Sequence, residues 1–149
     1  MKEVITERLV CLDVKANTKE VVIGQLANLI YEDDRIDDLK GYIDSVISRE
    51  ELTSTGIGFG IAIPHGKCKH VKQTTIAFGR IPKGMDWNSL DNQPVQSIIL
   101  LAIPEANSGD EHLRLLASIS RKLIHEEFRN TLSNCNDINE ISTLLNTCV

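Results

Sequence analysis

The spacing of apolar positions changes period several times along this chain, and each change marks an element. Val22, Leu26, Leu29 and Ile30 share one helical face, with Asn17 and Glu20 at capping-box spacing ahead of them. That pattern predicts a first helix from about Thr18 to Glu32. Asp37 and Asp38 put favourable negative charge before the stripe Leu39, Ile43, Val46, Ile47, so a second helix follows and ends near Arg49 to Leu52. Arg8 to Val14 is a short apolar run expected to form an edge strand, and Thr74 to Ile81 alternates as a strand that Pro82-Lys83-Gly84 should end. Ser97 to Ile103 is continuously aliphatic, as in a central strand covered on both faces, and Pro104 closes it. A third helix is expected to start over Ser108-Gly109-Asp110-Glu111, with His112, Leu116, Ile119 and Leu123 on one face. Two shorter helices, about His125 to Ser133 and Asp137 to Thr147, complete the pattern.

Helical and extended segments therefore alternate, which predicts an α/β fold. Some connections have the length of hairpins, so the sheet should be mixed parallel and antiparallel, with helices on both faces. The chain has 149 residues, no internal repeat and no linker-like tract, and is expected to form a single domain over 1–149. A domain of that size buries roughly 70% of its unfolded surface.

Composition removes several classes of function. A net charge of -5 without a clustered basic stripe disfavours nucleic acid. There is no apolar run long enough to span a bilayer, and Met1-Lys2-Glu3-Val4 is charged too early for a secretory signal. The expected location is cytoplasmic, with no direct membrane insertion. Cys11, Cys68, Cys135 and Cys148 lie far apart without a CxxC pair, which reads as free thiols.

The chemistry concentrates in Ile57-Gly58-Phe59-Gly60-Ile61-Ala62-Ile63-Pro64-His65-Gly66, an apolar run that a proline cuts off just before a histidine. Pro64 fixes its own φ, lacks an N–H and pushes Ile63 toward extended geometry, while Gly66 is free to turn. His65 should therefore sit at a rigid strand end. Gly56, Gly58 and Gly60 leave one face bare for close approach of another backbone. They lack the GxGxxG spacing of a dinucleotide loop. An imidazole suits reversible phosphoryl transfer, because its free nitrogen is nucleophilic near neutral pH and its phosphorylated nitrogen is a good leaving group.

From Glu50, six residues lead to Ile57-Gly58, two more to Ile61, and Ala62-Ile63-Pro64-His65-Gly66 follow. This resembles the phosphohistidine signature of the fructose/mannitol-type (type 2) enzyme IIA domains of the bacterial sugar phosphotransferase system. The likeness continues through Gly84-Met85-Asp86-Trp87, Leu90-Asp91, Val95, Ile99 to Glu105, and Gly109-Asp110-Glu111-His112-Leu113. The resemblance implies that His65 accepts phosphate from the phosphocarrier protein HPr and passes it to a cysteine of enzyme IIB. A membrane enzyme IIC would then couple phosphorylation to sugar uptake, with IIB and IIC on separate chains. It also implies that His112 lies beside the acceptor and assists it, and that Arg49 steadies the phosphoryl group. One ring nitrogen of His65 should be held by a backbone carbonyl or side chain, leaving the other, Nε2, exposed. Neither metal nor nucleotide cofactor is required by that scheme.

The residues also carry plainer readings. Arg49 would complement a helix C-terminus, a contribution of only about 0.3–1 kcal/mol. His112 could be a packed core histidine, although near a helix start an uncharged ring could donate a hydrogen bond to a phosphoryl oxygen. Ser54 and Thr55 are candidate phosphoryl donors or ordinary loop residues. Lys67, Lys69 and Lys72 supply either a weak positive field or a solvated loop. His65, Cys68 and His70 make H-x2-C-x-H, which lacks the completing pair of a zinc site. Trp87 reads as a packing anchor, and Phe59 and Ile61 as candidates for a docking patch. Two rival functions stand beside transport: a regulatory nitrogen-type enzyme IIA that signals by phosphorylation-dependent protein binding, and a non-transferring ligand-binding domain.

Overall fold

A computed structural model of the chain describes residues 3–106 and 109–149. Among these residues the helices are α1 (Lys19–Glu32), α2 (Leu39–Leu52), α3 (Gly109–Leu123), α4 (Glu126–Asn134) and α5 (Ile138–Asn146). The strands are β1 (Val10–Cys11), β2 (Gly56–Gly58), β3 (Ile61–Ala62), β4 (His65–Cys68), β5 (Thr75–Met85) and β6 (Val95–Pro104). They form one mixed sheet in the order β1-β5-β6-β3-β2, with β4 also paired to β6. Ile98 to Ile103 are all buried, so successive residues on opposite faces of β6 are both covered, and the layers are helices, sheet, helices.

Several boundaries differ from the pattern in the sequence, each for a local reason. Thr18, with extended φ and ψ of -136° and 156°, caps α1 by accepting from the Val21 N–H, so Asn17 stands one residue too early. β5 continues past Pro82 to Met85. Its pairing jumps from Arg80 opposite Ser97 to Met85 opposite Val95, and the proline falls in this irregular stretch, where no ladder bond needs its missing N–H. The glycine series forms a hairpin: β2 and β3 are antiparallel and joined by Phe59 and Gly60, with φ of 59° and 74°. Positive φ at both central residues matches the twist of the flanking strands. Gly56 does permit a close approach, since a Cβ there would stand 2.9 Å from Ser89 Cα. Ser108, one of the residues expected to open the third helix, lies outside the described residues.

The pairing along β6 fixes the position of His65. β3 pairs Ala62 with Ile98 and β4 pairs His65 with Leu101, both parallel, so the register continues unchanged across Ile63-Pro64. The two strands are one ladder interrupted at a proline, and His65 is the first residue of β4, directly after the interruption. The Leu101 N–H still donates to the Pro64 carbonyl at 3.0 Å. Gly66 does not turn here; it lies within β4, and a Cβ on it would collide with Ser45 Oγ and Val46 Cγ2 of α2. Tyr42 of α2 donates its hydroxyl to the Leu101 carbonyl at 2.7 Å, and burial pushes that phenol well above its ordinary value. Helix α2 is thereby held on the sheet beside His65.

Candidate functional site

The half-buried ring of His65 lies against its own backbone, with Nδ1 3.1 Å from the Ile63 carbonyl oxygen. A carbonyl only accepts, so this contact assigns the proton to Nδ1 and leaves the lone pair on Nε2. Pro64 lies between the two residues, and its fixed φ holds the bend across which the contact forms. Burial lowers the His65 pKa most, and the electrostatic influence of Arg49 and then His112 lowers it further. The Ile63 contact and Glu50 act in the opposite direction. The net direction favours an uncharged, nucleophilic imidazole at neutral pH.

The C-terminal end of α2 supplies the charge and the frame around that ring. Arg49 is tethered by its Nη1–H to the Thr53 carbonyl at 3.0 Å, which leaves most of the five N–H donors of the guanidinium for another acceptor. The neighbouring Glu50 is buried and points into a network. It accepts from the Thr55 N–H at 2.9 Å and from the Thr55 hydroxyl, and it pairs with Lys19 Nζ at 3.0 Å. The Thr55 hydroxyl oxygen also accepts from Trp87 Nε1 at 3.3 Å, and the Ser54 hydroxyl donates to the Trp87 carbonyl at 2.7 Å. Lys19 Nζ sits 5.4 Å from the centroid of the Trp87 ring. Ser54 and Thr55 therefore have their hydroxyl protons committed, and a direct bond from either to a phosphoryl oxygen would break one of these contacts.

His112 comes from the first turn of α3. Its ring centroid is 6.0 Å from that of His65, at an interplanar angle of 41°. Its buried Nδ1 has no hydrogen-bond partner among the described residues. Two imidazoles and a guanidinium thus converge from three separate elements. That set of donors and one free nucleophile can accept a tetrahedral anion and stabilise it.

The family model for the phosphoenolpyruvate-dependent sugar phosphotransferase system, EIIA 2, matches residues 3–148. The chain belongs to that family. It is 37% identical over 124 residues to the PTS system fructose-specific EIIA component of Haloferax volcanii, covering 83% of this chain and 80% of that protein. It is 34% identical over 144 residues to the PTS system fructose-specific EIIABC component of Bacillus subtilis, covering 97% of this chain and 22% of that longer protein. Among solved structures, the nitrogen regulatory protein IIA-Ntr from Neisseria meningitidis superposes with a TM-score of 0.87 at 29% identity, covering 95% of this chain and 96% of that one. As an enzyme IIA, the chain is a component of a phosphotransferase relay.

Other residues singled out in the sequence lie elsewhere in this enzyme IIA fold. Ile61 is in the core, because it faces inward on β3, whereas Phe59 at the hairpin turn is 65% exposed and carries the Arg129 guanidinium 4.3 Å above its ring. His70 bonds Asp37 through Nδ1 at 2.9 Å and lies 3.6 Å from Asp38 through Nε2, so it is engaged at the start of α2. Among the described residues no cluster of His, Cys, Asp or Glu is arranged to hold a metal. Lys67 and Lys69 are exposed, and Lys72 pairs with Asp34 at 2.6 Å. Trp87 is fully buried. No helix of the described residues is long and apolar enough to cross a membrane. The partnership of Glu50 with Lys19 was missed at the sequence level: Glu50 stood out as the first signature position, but nothing local marks Lys19 as its counter-ion.

Proposed function

We propose that His65 is the phosphate acceptor and that the chain, as one cytoplasmic domain over 1–149, relays phosphate from phospho-HPr to a cysteine of enzyme IIB in fructose-type sugar uptake. The observation that carries this reading is the Ile63 contact at Nδ1, which leaves Nε2 of His65 with an available lone pair beside Arg49 and His112. In the first step the Nε2 lone pair forms a bond to phosphorus while the bond from phosphorus to the donor's histidine nitrogen breaks, its electron pair returning to the donor ring. In the second, a IIB thiolate attacks the phosphorus and the electron pair of the N–P bond returns to His65 Nε2. Nearly all the catalytic effect of such displacements comes from positioning and charge stabilisation. Arg49 is the group for the equatorial oxygens, and His112 is a second hydrogen-bonding group beside His65.

Exposed Phe59, Leu90 and Leu113 give the chain apolar surface for transient partners. Phe59 and Leu90 lie on adjoining turns, since the Leu90 N–H donates to the Gly56 carbonyl and the Phe59 N–H to Asp91. The fused arrangement named for the Bacillus subtilis relative supports IIB and IIC as functional partners. The fructose assignment rests on the names of the relatives at 37% and 34% identity. The fold likeness to a nitrogen regulatory protein supports the second reading, in which the same phosphohistidine governs binding to a target. Incubation with phosphoenolpyruvate, enzyme I and HPr should label the protein at His65, and adding a fructose-type IIB should discharge the label within seconds to minutes. Labelling without discharge favours the regulatory reading; labelling of His65→Ala at the wild-type level sinks both.

A further inference from the structure

Away from His65, a groove of about 760 Å³ opens between α3, the end of β6 and the C-terminal residues. Its apolar wall is drawn from Val4, Ile103, Leu115 and Val149, and Arg114 and Arg121 line it as well. The volume is that of a small-molecule site, and an apolar wall with a few polar groups is the usual composition of one. Arg114, Ser118 and Arg121 recur at i, i+4 and i+7 on α3, so they share a face. That face is two positions, or about 200°, away from the stripe that carries His112. Neither guanidinium has a hydrogen-bond or ion-pair acceptor among the described residues, whereas Lys72, the third cation on the lining, is bound to Asp34. Arg114 and Arg121 are exposed, so water solvates their guanidiniums until a negatively charged group replaces it, while the apolar wall gains from an apolar body that displaces water. A molecule with a negative head and an apolar body uses both features.

We propose that this groove binds a small amphipathic anion, with a carboxylate or phosphate head held between Arg114 and Arg121 and an aliphatic body along Ile103 and Leu115. The site stands apart from the phosphotransfer reading, and His65→Ala, which tests that reading, leaves it intact. The test is titration of octanoate and octyl phosphate, below their micelle concentrations, into the ¹⁵N-labelled full chain. Saturable amide shifts are expected at Ile103, Leu115, Ser118 and Cys148, with a midpoint below about 1 mM. Octanol and acetate, which lack the head and the body respectively, should each bind at least about tenfold more weakly, as should the Arg114→Gln/Arg121→Gln double variant. Ala117→Trp, which fills the groove from an exposed helix position, should abolish the shifts while the thermal unfolding midpoint stays within a few degrees. Shifts that never saturate, that scatter over the surface, or that are equal for octanol and octanoate overturn the proposal. So does an unchanged midpoint in the folded double variant.

Discussion

His65 and His112 face one another across 6.0 Å but are held in opposite ways. The His65 ring is bonded to the Ile63 carbonyl, its backbone is paired to the central strand, and Gly66 next to it admits α2 so closely that even a methyl group would clash. The ring of His112 rides on an amphipathic helix, and its buried Nδ1 has no partner among the described residues. A nucleophile needs one tautomer and one direction, so a built-in hydrogen bond helps it. A group that must bond an arriving oxyanion is better left uncommitted, even though an unpaired buried nitrogen costs about 1–3 kcal/mol. On the reading proposed above, the difference between the rings is one of role: one is fixed in advance, and the other would complete its bonding when the phosphoryl group arrives.

The sharpest way to break this comparison is to remove each ring in turn. His65→Ala should reduce phosphate uptake from phospho-HPr by at least about a thousandfold, because the nucleophile itself is lost. His112→Ala should reduce it by about 10–100-fold, the scale of one lost hydrogen bond to a charged group, and leave the phosphate on His65. Equal losses in the two proteins, measured by rapid-quench labelling, would erase the distinction. Arg49→Lys comes next: a compact ammonium cannot offer the planar fork, so transfer should fall by about tenfold or more. Urea unfolding of the same variant should change by less than about 0.5 kcal/mol, because Arg49 has a single bond to the Thr53 carbonyl at the helix end.

These expectations trace back unequally to the sequence. The helices, the buried run of β6 and the Pro-His break were legible because each is a local pattern, an apolar period or a fixed φ. Even so, Thr18 rather than Asn17 caps α1, a shift of one residue that depends on where the backbone turns extended. The irregular pairing that carries β5 past Pro82 depends on β6, and the positive φ of Phe59 depends on the hairpin it closes. Gly66 after Pro64-His65 suggests a turn, whereas in the fold it lies within β4 and lets α2 approach, a contact that only folding creates. Neither Lys19 nor the commitment of Ser54 and Thr55 to Trp87 and Glu50 leaves a local trace, because those partners are brought together only by folding.

The frame behind His65 can be tested for its stiffness. Gly66→Ala forces α2 away from β4 and should cost about 1–3 kcal/mol in urea unfolding, the range for overpacking a tight contact. Glu50→Gln should cost a similar amount, about 1–3 kcal/mol, since it leaves the Lys19 ammonium, which is largely buried, without its counter-charge. If both variants unfold like the wild type, the claim that a tight frame holds His65 fails. A matching loss of phosphate uptake would show that the frame acts through the position of the ring.

The smallest expected effect is on pH dependence, and its sign is fixed by the causes named above. An unfolded histidine titrates near about 6.5, whereas burial first and Arg49 second hold folded His65 below that. Between the folded value and about 6.5 the unfolded chain binds more protons, so stability rises with pH across that window. The contribution is complete above about 6.5 and is lost as pH falls through the folded value. Phosphate uptake should likewise stay level from pH 8 to about 6.5 and decline only below it, because Nε2 keeps its lone pair. Arg49→Gln removes a charge that lowers the value and should move the titration upward, whereas Glu50→Gln removes one that raises it and should move it downward. Histidine ring signals followed by NMR would show both shifts. Movement of the two variants in the same direction would mean that the ring does not sense the end of α2 as a pair of opposed charges, and the electrostatic half of the comparison would fall.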